Sequence, residues 1–186
     1  ILPASVKEEL IDKPFNSRKF KLESMMVAAL VSQGIFKVHP ALEVDALLNQ
    51  INNMFMTRGT NIRIVSKAEV EALAVAVKLE AAYVVDERTM RLCVENPEGL
   101  HGILQSKLHT RVQINEKVVK TVQQYTNVKI IRSAELMMIA LEKGLLNKYM
   151  VNYKKKDLAD AVLWGLKLHG CAISSEEIKE LEKLES

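Results

Sequence analysis

Several common kinds of site are beyond what this chain has to offer. Its two cysteines, Cys93 and Cys171, follow no motif spacing. That argues against a disulfide framework and for a reduced intracellular chain. It has only seven glycines, and neither G-x-x-x-x-G-K nor G-x-G-x-x-G occurs, so a glycine-rich cradle for a nucleotide cofactor is disfavoured. The four histidines, His39, His101, His109 and His169, share no spacing that suggests zinc. No apolar run approaches the ~18 residues of a membrane span, and no secretory leader is visible. A cytoplasmic protein without membrane contact is therefore expected. Cations are only slightly in excess, with net charge +3 and pI near 8.8. This is compatible with nucleic acid but does not demand it.

What is present suits one globular domain with an appendage: 186 residues, 48% of them hydrophobic and 26% charged. Short apolar runs alternate with helical periods. Strands are expected at Ile1–Pro3, Ile35–Val38, Asn61–Val65, Ala82–Val85, Arg111–Ile114 and Val128–Ile131. Helices are expected over Phe20–Ser32, Leu42–Phe55, Lys67–Leu79, Arg88–Glu95, Asn115–Tyr125, Ala134–Lys143 and Asp157–Leu168, with a last one starting at Ser174. Val84 and its neighbours read as the clearest buried strand, and Ser133 as a helix cap. This alternation predicts an α/β fold with a mostly parallel sheet and right-handed crossovers.

Residues 66–88 are the most informative. Ser66 stands three residues before Glu69, the spacing of a capping box. A very apolar helix follows, then the run Ala82-Tyr83-Val84-Val85, then Asp86-Glu87. In open α/β sheets, ligands bind outside the carboxyl ends of the strands. Acids delivered to that edge suit a divalent metal.

The runs Glu69–Ala76 and Tyr83–Arg88 resemble the second half of a PIN domain. Ile1–Leu10 is similar to that family's strand, proline and acid-bearing helix. Lys129–Leu136 and Ala140–Leu146 resemble its closing strand and helix, and Leu168–Ser174 the end of some prokaryotic members. The resemblance implies a three-layer α/β/α sandwich about a central, mostly parallel sheet. It would fill residues 1–146, with an insertion near 95–127 and a helical extension over 147–186. It also implies Mg²⁺- or Mn²⁺-dependent cleavage of single-stranded RNA, a partner antitoxin in some members, and frequent homodimers. Carried over, Glu9 (or Glu8) matches the acid of the early helix, Glu69 that of the central helix, and Glu87 or Asp86 that after the strand. The family's leading strand with its Asp has no counterpart before Ile1. Either ~20–25 residues, a strand plus a helix, precede this chain, or the site lacks that ligand.

Such a site would work through oxygen-bound cations that neutralise a phosphodiester and activate water. Arg88, Arg91 and Lys67 are candidate phosphate contacts. Each residue also has a plainer reading. Glu69 can be a cap and no more. Glu71 points ~200° away from it on a helix and reads as solvated or supporting. Asp86-Glu87 can simply open a helix, and Glu8-Glu9 can be surface charge. Lys154-Lys155-Lys156 reads first as a solvated helix start and second as a phosphate patch. Cys93 and Cys171 read as small buried apolar residues. Met25-Met26 and Met137-Met138 read as core or an oligomer contact, with the helix around Leu22–Leu30 the expected dimer surface. The competing functional reading is a non-catalytic nucleic-acid- or protein-binding module on the same fold. A third is a structural subunit that uses the insertion and the C-terminal helices.

Overall fold

The computed structural model describes residues 1–184. It is mixed α/β, mostly helical, with three small sheets. The chain opens with β1 (Leu2–Pro3), α1 (Ala4–Lys7), a π-helical turn (Glu8–Asp12), α2 (Lys13–Phe15), α3 (Lys21–Ser32), β2 (Val38–His39) and α4 (Asp45–Asn52). It continues through β3 (Phe55–Thr57), β4 (Thr60–Asn61), α5 (Lys67–Lys78), β5 (Tyr83–Val84), α6 (Arg88–Glu95) and α7 (Pro97–Leu108). The remainder is β6 (Gln113–Ile114), α8 (Glu116–Tyr125), β7 (Ile130–Ile131), α9 (Ser133–Glu142), a 3₁₀ turn (Asn147–Tyr149), α10 (Lys155–Leu168) and α11 (Ser175–Leu184).

These elements form two compact units. One joins Ile1–Ala81 to Leu92–Val128, and the other joins Ala82–Arg91 to the chain from Lys129 onward. The division differs from a boundary after residue 146, and the stretch read as an insertion belongs to the first unit.

In the first unit β1 pairs parallel with β2, Leu2 opposite Val38 and Pro3 opposite His39. The strand expected over 35–38 forms only at Val38–His39. Gly34, at φ +74°, ends α3, and the amides of Ile35 and Phe36 still bond the Leu30 carbonyl, a left-handed C-terminal cap that holds both residues at the helix end. β3 lies between β4 and β6 in an antiparallel sheet. Its hairpin loop is Arg58-Gly59, both at positive φ, the two-residue turn whose twist matches paired strands. This hairpin takes up the end of the helix expected over Leu42–Phe55. Beyond it, Asn52 Oδ1 accepts from the amides of Ile64 and Val65 at 2.7 and 3.1 Å, so one side chain replaces the expected strand partner there. α5 packs on β1, α1 and α4 and buries Val70, Leu73, Ala74 and Val75.

In the second unit β5 and β7 pair parallel, Tyr83 opposite Ile130 and Val84 opposite Ile131. Only Tyr83 of β5 is buried, whereas Val84 is exposed, so this strand is covered on one face and not on both. α10 packs against α9 and α11. Ala134, Leu141, Ala159, Leu163 and Ile178 form their core.

Candidate acidic site at the strand ends

The parallel pairing of β5 and β7 brings two chain segments to the same sheet edge. Asp86 follows β5, and Arg132-Ser133 follow β7. Asp86 Oδ1 accepts the Ser133 amide at 2.8 Å, and Oδ2 accepts the Ser133 hydroxyl at 2.6 Å. Ser133 is thus the first residue of α9 and not its cap, because its hydroxyl is turned to Asp86. The carboxylate meets the positive end of α9, where the helix dipole favours negative charge. Burial pushes the Asp86 carboxyl up. The Ser133 hydroxyl and amide, the Cys171 thiol and the Arg132 charge outweigh that and hold it below the usual carboxylate range. Cys171 is buried beside it, and burial pushes its thiol up. Cys171 also belongs to the apolar core of this unit, as a small buried residue would.

Arg132 braces this corner from the neighbouring position. Its guanidinium is nearly buried and pairs with Glu135 through Nε and Nη2. Nη1 donates to the Ala172 carbonyl and to Glu177 Oε1, both at 2.9 Å. The Glu135 pairing outweighs burial and raises the Arg132 pKa further. Against its own burial, Glu177 is drawn down to about 2 by the Ser174 amide and by Arg132. Arg88, Arg91, Lys167, Cys171 and Glu177 line a cleft of 410 Å³ in this unit. Lys167 donates to the Ser175 hydroxyl at 2.7 Å and lies over the Trp164 ring.

Glu87 is exposed, and Oε2 accepts the Met90 amide at 2.6 Å. It caps the start of α6, the plainer role open to it from sequence. Arg88 is exposed, and Arg91 half-buried.

The other predicted acids lie in the first unit. Glu9 is exposed on the π-helical turn, and Glu8 sits 3.4 Å from Lys13. Glu69 completes a capping box, accepting the Ser66 amide at 2.6 Å while its own amide meets Ser66 Oγ at 3.4 Å. Lys67 is exposed and pairs with Asp45 at 2.9 Å.

Glu71 departs most from expectation. It is 2% exposed, not solvated. Its carboxylate accepts the Ser5 hydroxyl, and at 2.9 Å the amides of Ser5 and Leu42. Burial pushes this carboxyl up, but the bonds from Ser5 and Leu42 hold it below its ordinary value. Glu71 ties the start of α1 and the loop before α4 to α5. Its partners are 66 and 29 residues away in sequence, so no local pattern announces them.

Among the described residues, no three of His, Cys, Asp and Glu are grouped so as to hold a metal ion. Set against known proteins, the chain matches no family model, no curated protein and no solved structure.

Proposed function

We propose that this protein is a divalent-metal-dependent ribonuclease of PIN type, an α/β/α-layered fold acting on single-stranded RNA in the cytoplasm. The observation that supports this reading is Asp86, a carboxylate kept ionised at the carboxyl end of a parallel strand. Asp86 and Glu87 offer hard oxygen donors. Mg²⁺ and Mn²⁺ accept such a pair, since Mg²⁺ keeps most of its waters and uses one or two carboxylates. That donor chemistry fits, and these two residues would hold the ion. When bound, the ion supplies charge neutralisation at the phosphodiester and a more acidic water. Ser133 orients Asp86 and keeps its proton off. Arg88 and Arg91 supply cationic contacts for the phosphate, while Lys67 stands in the other unit, paired with Asp45. Glu9 and Glu69, which the resemblance also implies as ligands, are separate targets for substitution.

A second reading is a non-catalytic nucleic-acid- or protein-binding module. It is favoured by the hydrogen bonds that already engage both oxygens of Asp86, one of Glu69 and one of Glu87. In that reading the outward apolar side chains of α3 suit a second copy or a protein partner such as an antitoxin.

Calorimetric titration with Mn²⁺, run beside cleavage of a single-stranded RNA, separates the two. Wild type would be compared with Asp86→Asn, Glu87→Gln, Glu69→Gln and Glu9→Gln, each checked for folding by circular dichroism. The nuclease reading expects metal binding and cleavage in wild type and a loss of both in folded Asp86 and Glu87 variants. A folded wild type that binds no Mn²⁺ and cuts no RNA overturns it and leaves the binding module.

A further inference from the structure

The connection between α9 and α10, like residues 13–22, is free of acids and interleaves cations with exposed rings. Residues 143–156 hold five lysines (143, 148, 154, 155 and 156) and no acid. A lysine run by itself is ordinary solvated surface. Here it is interleaved with large side chains in water: Tyr149 is 56% exposed, Val151 80% and Tyr153 69%. The Lys148 ammonium lies 4.9 Å from the centroid of the Tyr149 ring. That contact holds a charge beside an aromatic plane. Asp157, the first acid beyond the run, accepts the Lys154 amide at 3.0 Å and so is engaged in starting α10. Lys156 is partly answered by Glu182. The segment also includes a 3₁₀ turn at Asn147–Tyr149, which gives Tyr149 a defined backbone.

We infer that residues 148–156 form a docking strip for single-stranded nucleic acid, with Tyr149 and Tyr153 stacking on bases and the flanking lysines meeting phosphates. Both features of the strip, clustered cations and exposed rings, are answered by one kind of ligand. Single strands offer a regular line of negative charge and unstacked π-faces. A duplex keeps its bases stacked away from the rings and would use only the lysines. A protein partner for this strip would need to be both acidic and apolar along one line. Four residues of chain reach at most ~14 Å, so the two rings serve neighbouring nucleotides. The assignment rests on the reading of this protein as one that acts on RNA, and it names where the strand lies. It needs no metal, so it can fail or hold independently of cleavage.

The test is fluorescence anisotropy of the whole chain with a labelled oligouridine of roughly 12 nucleotides, within the site sizes of such grooves, in EDTA so that nothing is cut. A duplex of equal length competes. Wild type is expected to prefer the single strand. Tyr149→Ala with Tyr153→Ala should weaken binding about tenfold or more, while Tyr149→Phe with Tyr153→Phe retains it, since phenylalanine keeps the stacking face. Lys148→Gln with Lys154→Gln should lower the slope of log K against log salt by about 1.4, at ~0.7 for each single-strand phosphate that a lysine no longer neutralises. Equal affinity in the alanine pair overturns the inference, as does a duplex that binds as well as the single strand. So does an alanine pair that leaves RNA binding intact but dissociates a protein complex. Metal-dependent cleavage with an ineffective alanine pair sinks the strip and spares the nuclease. Binding that the alanine pair abolishes, in a protein that never cuts, does the reverse.

Discussion

α3 and α5 are both twelve residues long, both rich in apolar residues (Leu, Met, Val and Ala in α3, chiefly Ala and Val in α5), and both in the first unit. They are packed in opposite senses. α5 buries Val70, Leu73, Ala74 and Val75 and keeps Lys67 and Lys78 at its ends. The only fully buried residue of α3 is Ser24, 1% exposed, while Leu22 is 69% exposed and Met25 and Met26 also face water. Ser24 goes inside because its hydroxyl bonds back to the Lys21 carbonyl at 2.8 Å, which satisfies it without water. Apolar content therefore marks which helix seeks cover, and it does not say whether the cover lies within the same chain. In α5 the cover comes from β1, α1 and α4, whereas in α3 an apolar stripe is left outward, as at a surface that meets another molecule.

The sharpest way to test this contrast is truncation of matched leucines. Leu73→Ala should cost roughly 2–5 kcal/mol in urea unfolding, the range for a fully buried leucine. Leu22→Ala should stay within about 0.5 kcal/mol, as exposed positions do. A large loss at Leu22 would mean that α3 is covered in solution. Next in size is Glu71→Ala, which leaves the amides of Ser5 and Leu42 without their acceptor. At ~1–3 kcal/mol for each buried unsatisfied group, and with both sites only part-buried, roughly 2–4 kcal/mol should be lost.

The same carboxylate sets an acid dependence. Its native pKa lies below the ordinary 4.5, so the unfolded chain binds the proton more tightly. Its contribution is complete above about pH 4.5 and is lost as pH falls through the lower native value. Melting temperatures from pH 5.5 down to 3 should fall less steeply in Glu71→Gln than in wild type, and parallel curves would contradict this. Glu177 adds a second window, between 4.5 and about 2.

A smaller effect is expected at the helix start. Ser66→Ala removes a cap worth ~1 kcal/mol, while Ser24→Ala in α3, which deletes a locally satisfied hydroxyl, should be nearly neutral. The smallest stability change belongs to Leu22→Gln with Met26→Gln. Within about 0.5 kcal/mol of wild type, this pair should change light scattering only if a second copy covers α3 in solution.

Local signals are legible in the sequence and distant ones are not. Ser66 and Glu69 announce the start of α5, and Asn115 that of α8, because a cap and its target lie three residues apart. The Arg58-Gly59 hairpin is hidden because an arginine stands where Asn or Asp usually signals such a turn, so Phe55, the first residue of β3, reads as the end of a helix. The acids at positions 69 and 86–87 are visible as candidates. What each carboxylate bonds is visible only where the partner is near, as for Glu69 and Glu87. Ser133 lies 47 residues from Asp86, and only the parallel pairing of β5 with β7 brings them together. The burial of Glu71 escapes a reading by helical phase, because phase places a residue relative to its helix and not relative to Ser5. No signal in the chain marks Arg132 as a brace, since its second carboxylate is 45 residues further on.

That brace has a consequence for the order in which this protein is made. Arg132 and Glu135 leave the ribosome almost together, but the Ala172 carbonyl and Glu177 follow only 40 and 45 residues later. At ~5–20 residues per second, the nascent chain carries an incompletely answered guanidinium for several seconds, next to the strand end where Asp86 must dock. During that interval the corner cannot close in its final form. Synthesis of α11 is therefore the event that completes the site's frame, some ninety residues after its acid was laid down.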